Sequence, residues 1–400
     1  MEARKQYGFE PDYAVPPGET VLEVMQSLNM TQRDLAARTG LTVQTLHRIF
    51  KGQQPITHET ANRLELVTSV PAKFWNNLES QYQEQKTRIE ERKRLAGDVR
   101  WLKIIPTKEL MERNCIKPVT DDVELLREVL GFYGVSGVDA WKEVWLEPAV
   151  AARRSPCFDS QPGPASAWIR QGELQAQKTV CRPFDKDAFK NALRAIRGLT
   201  RESPQVFEPE MRRLCAEAGV AVALVREMKK APWNGATEWL SPDKVMILLS
   251  LRGKGEDTFW FSFFHEAGHV LFDNKKDLLI NNESTDDPRE ARANDFAANF
   301  LIPSEYDHKI RCFRSRMEVL QLADELGIAP GIVAGRFQYL TGKWHFFNDL
   351  IRKLNWTEGG NGGECPGAAG SPGNVGGSGN PFPGCEAQQV LKTGRDEGGR

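Results

Sequence analysis

The sequence predicts a multi-domain fold, with an all-α domain at the N-terminus and an α+β domain toward the C-terminus. Three observations support this prediction. Residues 1–85 carry the capping residues and apolar spacing of several short helices. Segments rich in Val, Ile and Leu, typical of strands, occur only later, at Val220–Arg226 and Lys244–Leu251. Longer helical patterns follow, from Thr258 to Phe272 and from Pro288 to Leu301.

Composition limits the classes of protein that the chain can represent. Its 400 residues allow two or three domains, and its formal net charge of -1 excludes a globally basic nucleic-acid binder. Met1–Gly18 contains no apolar leader, and no apolar run is long enough to span a bilayer. The seven cysteines are scattered without a CxxC pair, which is typical of reduced thiols. We therefore expect a cytoplasmic protein without a membrane segment.

The domain boundaries follow from changes in composition. We expect an all-helical domain at 1–85, a mostly helical bridging region at 86–205, an α+β domain at 206–352 and a Gly/Pro-rich tail at 353–400. The bridging region either packs onto the α+β domain or connects the two ends. The segment from Thr357 onward holds 14 of the 34 glycines and few large apolar residues. It is predicted to be disordered, because it buries too little surface to offset its ordering entropy.

Two consecutive helices of the N-terminal domain are separated by a tight turn. Thr31 is a good N-cap for a helix over Gln32–Arg38, and Thr42 is a good N-cap for Val43–Phe50. Gly40 lies between them, where the chain must turn sharply and a residue that tolerates positive φ is favoured. This arrangement is typical of a helix-turn-helix, whose second helix enters the major groove of DNA.

The exposed face around the second of these helices has the chemistry for DNA contacts. Gln can read adenine edges, while Arg and Lys reach guanine or phosphate. Between Thr31 and Lys51, four basic residues stand against one acid, so the patch is locally basic. A small helical bundle that binds protein remains the alternative. The candidate DNA-binding residues are Gln32, Thr42, Gln44, Thr45, Arg48 and Lys51.

The N-terminal domain also resembles a known family. The segments PPGETVLEVM at 16–25, TQRDLAARTGL at 31–41, ITHETANRLE at 56–65 and PAKFWNNLESQY at 71–82 are similar to HigA antitoxins. The resemblance covers residues 8–85. It implies a homodimeric helix-turn-helix repressor that binds operator DNA through residues 31–51 and has a possible toxin partner.

Two of the six histidines lie in the motif HEAGH at 265–269. On a helix, positions i and i+4 share one face, so His265 and His269 can reach a single ion. Asp257 or Thr258 is expected to cap this helix. HExxH is the zinc-peptidase pattern, in which the glutamate, here Glu266, acts as the general base. Two incidental histidines on an exposed helix face are the alternative.

The following helix supplies a third candidate ligand, Glu290. A glutamate there completes a His₂Glu set for one Zn²⁺ per chain and leaves a fourth position open. Asn294, one turn further, could hydrogen-bond a ligand imidazole and support it. The alternative for Glu290 is an ordinary solvated acid between two arginines. Competing carboxylates in the preceding polar loop are Glu283, Asp286 and Asp287.

The C-terminal domain resembles the ImmA/IrrE metallopeptidases. The similar segments are DTFWFSFFHEAGHVLF at 257–272, EARANDFAANFLIP at 290–303, and the strand segments GATEWL at 235–240 and KVMILLSLR at 244–252. The resemblance implies a zincin-like (gluzincin-like) fold and hydrolysis of a helix-turn-helix repressor. It implies the ligands His265, His269 and Glu290 and the base Glu266. Some members carry a fused helix-turn-helix domain.

Three functions remain open from the sequence. The first is a DNA-binding regulator that hydrolyses a regulatory protein; the second is an antitoxin or transcription factor whose zinc is structural or sensory. The intact Glu266 favours the first, because a structural zinc site does not need it. A chain that mainly binds a toxin is a third hypothesis. GATEWL is a candidate for the edge strand along which a substrate could lie. Tyr306 and His308 follow the Glu290 helix and could donate to an oxyanion, but both are expected to be core or surface residues.

Overall fold

The computed structural model describes residues 12–146, 161–230, 233–273, 279–280, 287–357 and 391–393. The chain divides into two compact units, Met1–Val99 and Arg100–Arg400. The first unit is all-helical and the second combines a small mixed sheet with helices, which confirms the predicted fold class. Across the described residues, no helix combines the length and apolar composition needed to cross a lipid bilayer.

The described residues of the first unit, from residue 12 onward, form five helices around an apolar core. Leu35, Leu46, Leu64 and Trp75 are completely or almost completely buried in this core. The indole N–H of Trp75 donates to the Val70 carbonyl oxygen at 3.2 Å, so the largest core side chain is also satisfied as a donor. The helices are α1 (Pro17–Ser27), α2 (Gln32–Thr39), α3 (Val43–Phe50), α4 (His58–Thr68) and α5 (Ala72–Ala96).

Side-chain caps define the start of α2 and α3. The Thr31 hydroxyl accepts from the Asp34 N–H at 3.2 Å, and Asp34 accepts from the Thr31 N–H at 2.9 Å, which forms a capping box. The Thr42 hydroxyl accepts from the Thr45 N–H at 3.0 Å. Gly40 has a φ of 69°, the left-handed conformation that favours glycine at a helix end. The helix-turn-helix geometry therefore follows from residues that lie close together in sequence.

The second unit contains the remaining helices and the strands. Its helices are α6 (Thr107–Glu112), α7 (Asp122–Tyr133), α8 (Val138–Leu146), α9 (Pro162–Lys178), α10 (Lys186–Leu199), α11 (Pro204–Glu217), α12 (Glu256–Phe272), α13 (Pro288–Leu301), α14 (Asp307–Arg311), α15 (Arg316–Leu326) and α16 (Pro330–Thr341). Its strands are β1 (Val220–Leu224), β2 (Gly235–Ser241), β3 (Lys244–Leu249), β4 (Leu279–Ile280), β5 (Leu354–Trp356) and β6 (Leu391–Thr393).

Four strands form the main sheet in the order β1-β3-β2-β4, with β1 parallel to β3 and β2 antiparallel to both neighbours. Alternate residues of β1 and β3, such as Val222 and Ile247, enter a core shared with α10, α11 and α12. The residues between them, such as Met246 and Leu248, are buried as well. Both faces of this part of the sheet must therefore pack against other elements.

Helix α9 covers the second face, packing on β1 and β3. A Cβ at Gly172 would lie 2.8 Å from Cδ2 of Leu248, so a glycine permits this close approach. Helix α5 runs across the division expected at 85/86, and α9, a helix of the bridging region, packs onto the sheet, one of the two arrangements that the sequence left open.

Two short strands from the predicted tail are ordered. β5 pairs antiparallel with β6, and Leu391 is completely buried with Leu354 in the core of the second unit. The Leu391 N–H donates to Oε2 of Glu208, a buried carboxylate on α11, at 2.7 Å. The prediction of a disordered tail is therefore wrong at residues 391–393, because one leucine finds an apolar site and a buried acceptor. Residues 358–390 and 394–400 lie outside the described residues.

Candidate metal centre

Helix α12 passes through the core of the second unit. Phe259, Trp260 and Phe263 are buried on its first turns, and the HEAGH motif follows on the same helix. Gly255, not Asp257 or Thr258, occupies the N-cap position. The cap prediction is wrong because a later segment of the same chain covers this end of the helix. There the Glu256 N–H donates to the Arg352 carbonyl oxygen at 3.0 Å.

A glycine lets the next helix approach α12 closely. A Cβ at Gly268 would lie 3.2 Å from the Cα of Ala293 on α13, tighter than nearly all real contacts. Because Glu290 lies one turn before Ala293 on α13, this approach brings the Glu290 carboxylate beside the two histidines. The spacing of the helices is therefore set by small residues inside the motif-bearing segments.

The structure brings His265, His269 and Glu290 together, with donor atoms all within 4.8 Å of one another. The two imidazole Nε2 atoms are 3.0 Å apart. Glu290 Oε2 lies 3.2 Å from His265 Nε2, and Glu290 Oε1 lies 3.6 Å from His269 Nε2. The histidines are at most 1% exposed and Glu290 is 4% exposed, so the expectation of an incidental pair on an exposed face does not describe this site.

The donor atoms are separated by distances near those found in a tetrahedral zinc site. Zn–N and Zn–O bonds of about 2.0–2.2 Å in a tetrahedron place neighbouring donor atoms about 3.3–3.6 Å apart. The 3.0 Å between the two Nε2 atoms is slightly shorter, and the 3.2 and 3.6 Å distances to Glu290 involve its two different carboxylate oxygens. Glu266 Oε1, also buried, has no hydrogen-bond partner among the described residues. Because such an oxygen is costly to bury unpaired, the site suits an ion with bound water.

Strand β2 holds the Glu266 carboxylate. The Thr237 hydroxyl donates to Glu266 Oε2 at 2.7 Å, which leaves Oε1 as the available oxygen. A Cβ at Gly235 would lie 2.4 Å from Glu266 Oε1, so only glycine leaves room for it. Burial raises the pKa of Glu266, although His265 and His269 oppose the shift. The contacts of Thr237 and Gly235 with Glu266 could not be predicted from the sequence, since they depend on where strand β2 lies against α12.

Each histidine has a distinct partner at Nδ1. His265 Nδ1 lies 2.9 Å from the amide oxygen of Asn294, and the role of Asn294 in supporting a metal ligand stays a prediction. His269 Nδ1 lies 2.6 Å from Oδ2 of Asp273. Asp273 was missed, although its i+4 spacing from His269 continues the His265–His269 face and could have indicated it.

The electrostatics of the donor set link metal affinity to pH. Burial alone lowers the pKa of His269, but hydrogen bonds to Asp273 and Glu290 outweigh it and raise the pKa to about 9. Burial alone raises the pKa of Glu290, but hydrogen bonds from His265 and His269 leave it lowered. A metal ion bound here would compete with a proton for His269, so its affinity is expected to fall with acid.

Other residues considered for the site lie in different surroundings. β4 pairs with Ala236 and Thr237, so the first half of the GATEWL strand is not a sheet edge as we had expected. The Tyr306 hydroxyl donates to Glu325 on α15 at 2.9 Å, and His308 is exposed on α14. These positions agree with the expectation that neither residue belongs to the metal site.

The predicted DNA-binding residues divide into two groups. Gln44, Arg48 and Lys51 are exposed on and just after α3. The other three have structural contacts: the Gln32 amide donates to the Val43 carbonyl oxygen at 3.0 Å, and the Thr42 and Thr45 hydroxyls are 2.9 Å apart at the start of α3. The Gln32 contact joins α2 to the start of α3, whereas the threonine contact lies within the N-terminal turn of α3.

Comparison with known families agrees with this two-part organisation. Residues 220–338 match the family model of the IrrE N-terminal-like domain, Peptidase_M78, and residues 21–75 match the HTH_3 model, described as helix-turn-helix. No curated protein matches the chain. The chain therefore contains a helix-turn-helix domain and a metallopeptidase-like domain. The narrower HigA-type assignment stays a prediction.

Proposed function

We propose that this chain is a cytoplasmic DNA-binding regulator whose second unit is a zinc-dependent endopeptidase acting on a repressor-type protein. The observation that carries the proposal is the convergence of His265, His269 and Glu290 beside the available Oε1 of Glu266. A purely structural metal site would need the three donors but would not need a fourth, buried carboxylate held by a strand.

The residues present fit zinc better than calcium or magnesium. Two imidazole nitrogens and one carboxylate are the donor set of many catalytic zinc sites, which keep one coordination position open. Calcium and magnesium favour sites made of oxygen ligands alone. His265, His269 and Glu290 would hold the ion. When bound, zinc would supply Lewis-acid activation of water and of the scissile carbonyl group.

Glu266 would act as the general base. Thr237 occupies its Oε2, so Oε1 would receive the proton of the attacking water and deliver it to the leaving amine. Burial raises the pKa of this carboxyl group toward the range in which one group can both accept and release a proton. Gly235 leaves the space that this carboxylate requires.

The first unit would bind operator DNA through residues 31–51, as a homodimer. With α3 in the major groove, the exposed Gln44 and Arg48 would contact base edges and the exposed Lys51 would contact phosphate. Two-fold symmetry of the operator would then match a two-fold dimer. A small toxin bound to this unit would instead favour the antitoxin function.

The proposal is tested by measuring zinc content and proteolysis in the same samples. The proteins are the wild type, Glu266→Gln, His265→Ala, and Glu305→Gln as a control that removes an exposed glutamate from the same unit. The substrates are the protein itself and helix-turn-helix repressors from the same source. We expect one zinc per chain in all but His265→Ala, and a fall in cleavage of about 100- to 10,000-fold for Glu266→Gln.

Two results would contradict the proposal. Zinc-loaded wild type that cleaves none of these substrates would favour a regulator with a structural or sensory metal. Equal cleavage by Glu266→Gln and wild type would show that Glu266 is not the base.

A further inference from the structure

The two histidines of the metal centre are supported unequally. His265 faces the neutral amide of Asn294, which belongs to the neighbouring helix α13. His269 faces a carboxylate, Asp273, at the C-terminal end of its own helix α12. Both partners accept a hydrogen bond at Nδ1 and leave Nε2 for an ion, but only Asp273 can carry a negative charge.

The position of Asp273 is electrostatically unfavourable for a carboxylate, unless the carboxylate has a function there. The C-terminal end of a helix carries partial negative charge, which disfavours a carboxylate. The Asp273 side chain is only 2% exposed, so solvent relieves little of this cost. Asp273 is nevertheless the residue at which α12 ends, and its N–H donates to the His269 carbonyl oxygen at 3.0 Å.

A second helix satisfies the remaining oxygen of Asp273. The guanidinium of Arg292 on α13 pairs with Oδ1, while His269 occupies Oδ2. Arg292 follows Glu290 by two residues and lies over the Phe272 ring, with its guanidinium carbon 5.8 Å from the ring centre. The carboxylate therefore connects the end of the histidine-bearing helix to the start of the glutamate-bearing helix.

We propose that Asp273, held by Arg292, is a positioning residue for the metal centre. It fixes His269 as the tautomer whose Nε2 faces the ion, and it aligns α13 so that Glu290 meets the same ion. A carboxylate acceptor also makes the imidazole a stronger donor to a metal than a neutral acceptor does. The inference rests on the proposed zinc site and deepens it.

The test is the affinity of the protein for Zn²⁺, measured by competition with a chromogenic chelator, together with the absorption spectrum of the Co²⁺-substituted protein. The variants are Asp273→Asn, which keeps the shape and removes the charge, and Arg292→Gln, which changes a half-exposed residue. Asp295→Asn, an exposed acid on α13, is the matched control. We expect Asp273→Asn to weaken zinc binding about 10- to 100-fold, Arg292→Gln to weaken it about tenfold, and Asp295→Asn to leave it unchanged.

The Co²⁺ spectrum distinguishes positioning from simple structural support. We expect its visible bands to shift in Asp273→Asn, because His269 reorients about the ion. Wild-type zinc affinity and an unchanged Co²⁺ spectrum in both variants would overturn the inference, even if the metal-free variants unfold more easily. If Asp273→Asn does not fold, Arg292→Gln alone decides by the same criteria. Failure of the wild type to bind zinc would overturn the proposed function and this inference with it.

Discussion

The predicted DNA-contacting surface and the metal centre are assembled in opposite ways. Gln44, Arg48 and Lys51 are exposed residues of one short segment, and caps within a few residues of them define the helix. The metal centre collects buried residues from β2, α12 and α13. Water solvates charges on the first surface at little cost, whereas every buried charge of the second needs a partner.

This difference predicts how far the structural effect of a substitution should extend. A change at the exposed surface should alter ligand binding or one helix cap and leave distant parts of the chain intact. A change near the metal centre should propagate, because its residues are held by packing between elements far apart in sequence.

The largest expected effect on stability comes from Leu391→Ala. The side chain is completely buried beside Leu354, so its truncation should lower the free energy of unfolding of the second unit by about 2–5 kcal/mol. Hydrogen exchange resolved by segment would measure the effect in each unit. Leu66→Ala is the control, since Leu66 is 87% exposed in the first unit and its truncation should change stability by no more than about 0.5 kcal/mol. Equal destabilisation of both units by Leu391→Ala would contradict the expectation that the effect is confined to the second unit.

The next effect is expected for Gly235→Ala. The added Cβ would displace the Glu266 carboxylate, and a shift of about 1 Å in a catalytic group costs roughly 100-fold in rate. Peptidase turnover of zinc-loaded protein would be compared with that of Gly198→Ala, whose Cβ would meet nothing within 4 Å. Wild-type turnover in Gly235→Ala would show that Glu266 tolerates displacement or is not the base.

A smaller and confined effect is expected for Thr42→Ala. Loss of the N-cap of α3 should cost about 1 kcal/mol, and only in the first unit. Thr42→Ser, which keeps the hydroxyl, should retain most of that stability. Thermal unfolding with and without a chelator would separate the units, because chelation should destabilise only the second. A lower zinc affinity in Thr42→Ala would contradict the independence of the two sites.

The smallest effect is expected for Lys51→Ala in DNA binding. Removing one phosphate contact should weaken binding to all sequences alike and reduce the slope of log affinity against log salt by about 1. Gln44→Ala should instead reduce discrimination between operator and unrelated DNA. Titrations at several salt concentrations would measure both. An unchanged slope in Lys51→Ala would place this lysine away from the phosphates.

The same contrast explains which features could be predicted from the sequence. The bounds of α3 and α13 follow from caps and helical periodicity, and the pairing of His265 with His269 follows from i, i+4 spacing, which are local patterns. Thr237 could not be predicted to contact Glu266, because the contact depends on how β2 lies against α12. The strand at Leu391 could not be predicted for a similar reason. The sequence around it is rich in glycine, and its single buried leucine packs against core residues that are distant in sequence.

The position of Leu391 in the sequence also determines the order in which the two units can complete their folding during synthesis. The first unit ends at Val99, so its whole sequence is available for folding long before the core of the second unit can be closed by Leu391. At ribosomal rates of about 5–20 residues per second, roughly 15 to 60 seconds separate these two points. Each nascent chain therefore passes through an interval in which its helix-turn-helix unit is complete while the core around its metal centre is still open.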